Sequence, residues 1–64
     1  MRYHVMPADD SSRYNWKVQA NGRTTSRHRR QSKAVEAVRE RGNPGDTVRV
    51  HAETGNIRYG FTIQ

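Results

Sequence analysis

Four cations, Arg27, Arg29, Arg30 and Lys33, crowd the stretch SRHRRQSKAV at residues 26–35, at the start of the chain's one helical pattern. A helix N-terminus carries about half a positive charge, so each exposed cation beside it costs roughly 0.3 to 1 kcal/mol. An anion removes that cost. Free backbone N–H groups at a helix end, flanked by fork-shaped guanidinium donors, suit a phosphate group. Ser32 could cap the helix if it begins a turn later, which would move two arginines into the preceding loop. The chemistry these residues point to is non-covalent phosphate contact.

Covalent chemistry finds less support. His4, His28 and His51 could supply acid–base groups, and His51 beside Arg49 is the kind of pair a small ribonuclease uses. A strand histidine facing solvent usually has no such role. No serine lies in a nucleophile elbow. Three widely spaced histidines with no cysteine do not make a metal site. The expectation is a protein with no catalytic residues, no metal and no cofactor.

The charge distribution supports the phosphate reading. Twelve Lys and Arg against six Asp and Glu give +6. Residues 11–35 hold seven of the positive charges, at Arg13, Lys17, Arg23, Arg27, Arg29, Arg30 and Lys33, and no acid. Residues 36–64 balance four arginines against four acids. A local excess of this kind suits a polyanionic partner, although basic runs are also common as solvated faces.

These side chains must be positioned by a very small fold. The 64 residues allow one domain, 1–64, and such a chain buries only about 60% of its unfolded surface. It has no leucine and no cysteine, so the core falls to Val5, Val18, Val35, Val38, Val48, Val50, Ile57, Ile63 and a few aromatics. No apolar run is long enough for a membrane span, and MRYHVMPADD lacks the apolar centre of a secretory signal, which points to the cytoplasm.

YHVMP (3–7) reads as a short strand, followed by a polar turn, ADDSSRYN. In NWKVQANG (15–22), Trp16, Val18 and Ala20 alternate with Lys17, Gln19 and Asn21, and the pattern breaks at Asn21-Gly22. TTSRHRR has no apolar anchor and reads as a loop or a frayed strand extension. QSKAVEAVRERG (31–42) puts Gln31, Ala34, Val35 and Val38 on one helical face, stopped by Gly42 and Pro44. TVRVHAE (47–53) and IRYGFTIQ (57–64) alternate around the turn Thr54-Gly55-Asn56 and read as a hairpin. The expected fold is α+β: a small two-layer domain in which two β-hairpins of an antiparallel sheet flank one α-helix, in ββαββ order.

The sequence order YHVMP, WKVQANG, a basic stretch with His28, KAVEAVRE and VRVHAETGNIR resembles the small prokaryotic domain of unknown function 2188. The resemblance runs from an N-terminal His-Val-x-Pro to a C-terminal Val-x-His-x-x-x-Gly-x-Ile and covers roughly residues 3–58. It implies a two-layer α/β domain and no established activity. Members usually carry Asp-Thr where Arg29 and Arg30 stand here.

One helix covers only one face of a sheet. Alternation assigns Lys17, Arg49 and Arg58, with His4 and His51, to the other face, while Trp16, Tyr59 and Phe61 point to the core. With no aromatic on the open face, base stacking is poorly supplied and duplex backbone contact fits better. The sequence therefore predicts a protein that binds the phosphate backbone of DNA or RNA through Arg23, Arg27, Arg29, Arg30, Lys33, Lys17, Arg49 and Arg58, with little sequence specificity. The alternative is a protein-interaction module or homodimeric adaptor that pairs through the apolar C-terminal strand.

Overall fold

The computed structural model describes residues 1–8 and 15–64; the polar turn expected after the first strand falls largely outside them, on residues 9–14. The elements are β1 (Arg2–Pro7), β2 (Trp16–Ala20), β3 (Arg23–His28), α1 (Gln31–Arg41), β4 (Thr47–His51) and β5 (Ile57–Thr62). All five strands form one sheet in the order β3-β2-β1-β4-β5.

Two features depart from the expected ββαββ arrangement of two antiparallel hairpins. The sheet is mixed, because β1 and β4 run parallel while the other neighbours are antiparallel. The basic stretch TTSRHRR also contributes a fifth strand, β3, where a loop or frayed extension was expected. β2 turns into it through Asn21 (φ 54) and Gly22 (φ 76). Positive φ at both central residues is the signature of the type I′ turn, whose twist matches that of a hairpin. With β3 parallel to β1, α1 serves as the crossover that brings the chain back to pair with β1 through β4.

The core lies between α1 and one face of the sheet. Val5, Val38, Val48 and Val50 are fully buried there, with Val18, Trp16, Ala34 and Ile63 around them. Ala34 and Val38 are the buried helix positions, and Tyr3, Val35 and Phe61 pack at the margin. α1 lies chiefly over β1, β2 and β3. The helix side of β5 is therefore only partly covered: Phe61 lies beneath the Arg39 guanidinium, 4.2 Å from its ring centre, while Tyr59 is 43% exposed. Ile57, expected in the core, is 58% exposed, because a bulge between Val50 and His51 shifts the start of β5.

Candidate nucleic-acid interface

Among the described residues no second layer lies over the face of the sheet opposite the helix, and the composition of that face follows from the pleat. Side chains alternate between faces, so each buried valine places its neighbours outward. Strand register lines those neighbours up. Thr24, Gln19, His4, Arg49 and Gly60 form one row running from β3 to β5. Met6, Lys17 and Arg27 form a second, and Arg2 lies opposite Thr47 in a third. The open face thus presents Arg2, Lys17, Arg27 and Arg49 with His4 and His51, and no carboxylate among the described residues. Lys17 and Arg27 are directly opposite each other.

Arg49 has room to lie across the neighbouring strand. A Cβ added at Gly60 would come within 2.7 Å of its Nη1 and 3.1 Å of the Val48 carbonyl, so glycine at position 60 leaves the space that the guanidinium occupies. Beside it, His4 and His51 meet on the diagonal between β1 and β4, with His4 Nδ1 3.1 Å from His51 Nε2 and His51 Nδ1 2.9 Å from the Gly55 carbonyl oxygen. Partial burial, followed by the nearby His51, Arg2 and Arg49, holds His4 below its ordinary value of 6.5.

The sequence-predicted residues do not all meet. Lys17, Arg27 and Arg49 share the open face. Arg58, assigned there by simple alternation, instead turns to the helix side at the β5 bulge: its Nη1 donates to Gln31 Oε1 at 2.9 Å, and Gln31 Nε2 donates to the His51 carbonyl at 2.9 Å. It joins Arg29 and Arg30 around an open cleft of about 620 Å³ at the start of α1, which Trp16 and Glu53 also line. Arg30 itself occupies the N-cap position (φ −125, ψ 146), with no side-chain cap and no acid in the first turn. Ser32 therefore lies inside the helix and is not its cap. Arg23 is opposite Ala20 and borders a separate cleft with Tyr3 and Arg41. Lys33 pairs with Glu36 at 3.3 Å on the exposed side of the helix.

Arg2 was absent from the sequence-based set. The expected strand begins at Tyr3, whereas β1 begins at Arg2, and alternation along it places Arg2 on the face of His4. His28, by contrast, is on the helix side opposite Trp16 and bonds Ser26 Oγ at 2.8 Å. Among the described residues no group of three or more His, Cys, Asp or Glu side chains is arranged to hold a metal ion. Among the described residues no helix is long and apolar enough to cross a membrane.

The architecture is that of a small α+β domain with one helix and a five-stranded mixed sheet. The family described as an uncharacterized protein conserved in bacteria, DUF2188, matches residues 3–60, and the chain belongs to it. No curated protein and no solved structure matches the chain.

Proposed function

We propose that this protein binds the phosphate backbone of a nucleic-acid duplex, with little sequence selectivity, through the uncovered face of its sheet. The observation that carries the reading is the composition of that face: four guanidinium or ammonium groups and two imidazoles spread over four strands, with no carboxylate among the described residues. Neighbouring strands are about 4.8 Å apart and same-face residues about 6.7 Å apart along a strand, so the cations form a grid on the scale of adjacent backbone phosphates. The aromatic side chains of β5 belong to the other side of the sheet, which favours duplex backbone over stacked single-stranded bases.

Gel shifts with duplex DNA, duplex RNA and single strands across salt test this. If the four cations of this face contact B-DNA phosphates, log affinity falls with log salt with a slope of about −3.6. Weak binding to every probe, unchanged when Arg49 is replaced, would reject the proposal.

A second reading rests on β5. It is an edge strand whose exposed side chains include Ile57 and Tyr59, and it carries one charge, Arg58, so it is suited to pairing with a second copy. A charge introduced at Tyr59 alters sedimentation if that reading holds and leaves it unchanged otherwise.

A further inference from the structure

The two open-face histidines form a chain of hydrogen bonds whose direction is fixed by its end. The Gly55 carbonyl oxygen can only accept, so His51 Nδ1, 2.9 Å away, carries a proton and donates it. In neutral His51 the proton is then absent from Nε2. That lone pair accepts from His4 Nδ1–H across 3.1 Å. Both neutral rings are therefore Nδ1–H tautomers, and one lone pair remains on the dyad, at His4 Nε2.

This arrangement takes up a single proton readily. Protonation at His4 Nε2 leaves both hydrogen bonds intact and makes the one between the rings charge-assisted. With three protons on the dyad the inner one lies between His4 Nδ1 and His51 Nε2, and in either placement His4 Nε2 carries an N–H. Among the described residues the charged groups facing His4 are all basic: Arg2 on its own strand, Arg49 and His51 on β4, with Lys17 on β2 one step away; Gln19, directly opposite, is neutral. β5 brings only Gly60 into this row. In the free protein those cations oppose a charge on His4.

A phosphate reverses the balance. Against a phosphate oxygen, a neutral Nε2 presents lone pair to lone pair, whereas an imidazolium presents an N–H donor beside the Arg49 fork. We propose that duplex binding by the open face is proton-linked: a phosphate seated between His4 and Arg49 is bound together with one proton at His4 Nε2, so affinity rises as pH falls. This rests on the open face being the binding surface.

The test measures fluorescence anisotropy of a 20-base-pair DNA duplex between pH 5.5 and 8.0 at constant ionic strength, with imidazole NMR of the full chain alongside. Affinity should rise by up to about tenfold per pH unit as one proton is taken up. The slope should vanish in His4→Gln and persist in His28→Gln, whose ring lies on the helix side. On the free wild-type protein, NMR should find both rings as Nδ1–H tautomers, and adding duplex should raise the pKa of His4; these readouts do not depend on how the variants fold. Salt-sensitive binding that is flat with pH, or a slope that survives His4→Gln, overturns the linkage and leaves the duplex reading standing. Absence of binding at every pH overturns both.

Discussion

At the scale of single residues, proximity matters as much as side-chain chemistry. Gly42 ends α1 with an ordinary backbone conformation (φ −74), so its lack of a side chain serves a close approach. A Cβ there would overlap the Ile63 Cδ1 methyl and stand 3.0 Å from the Val38 carbonyl oxygen. Gly42→Ala should therefore lower stability by about 1–3 kcal/mol, the usual cost of overpacking, measured by urea denaturation. His4 ties stability to pH. Its folded value is depressed, so between that value and 6.5 the unfolded chain binds more protons than the folded one. The stability it contributes is whole above 6.5 and is lost as pH falls through the folded value. Thermal melts should show that loss in the wild type, and His4→Gln should lack this part of it. Asp46 acts in a lower window. The Met1 ammonium at 2.8 Å and the Asn43 N–H at 2.9 Å hold its carboxyl below 3.8, so its contribution disappears only in stronger acid.

At the scale of elements, the sequence was read well wherever burial imposed a period. β1, β2, α1, β4 and β5 all lie within two residues of the expected bounds; the first four each bury one face in a valine core, while β5, mostly exposed, is marked by its own alternation and by the turn before it. β3 buries almost nothing, and Arg23, Thr24, Thr25 and Arg27 are exposed, so no hydrophobic alternation marks it. It exists through backbone pairing with β2 and through the Asn21-Gly22 turn. That dipeptide is a strong hairpin signal and called for a partner strand on its far side. The parallel pairing of β1 with β4 had no local signal at all, since a crossover through a helix leaves the register to tertiary packing. The helix start is where sequence and stability conflict most plainly. Arg30 holds the N-cap without capping, and no acid offsets the helix dipole. Arg30→Asp should stabilise the protein by about 0.5–2 kcal/mol in denaturant titrations, through a side-chain bond to a free N–H and favourable charge at that end.

At the scale of the whole molecule, the positive charge divides into unlike surfaces. The crowded arginines that dominate the sequence, Arg29 and Arg30, belong to a cleft with Glu53, where Arg58 is already engaged by Gln31. The charges that the sequence scatters over distant segments, Arg2, Lys17, Arg27 and Arg49, come together on the open sheet. A linear run of cations was visible at once, whereas a face assembled from four strands required the strand order. The duplex-binding proposal puts the polyanion on the open face and not at the helix start. The most direct measurement compares duplex affinity and its salt dependence for two triple variants, Arg2→Ala/Lys17→Ala/Arg49→Ala and Arg29→Ala/Arg30→Ala/Arg58→Ala, both verified as folded. The first should nearly abolish binding and make the salt slope shallower by about 2.7, at about 0.9 per lost phosphate contact, while the second should retain most of both. Loss of binding in the second variant with retention in the first, or equal indifference to both, would contradict it.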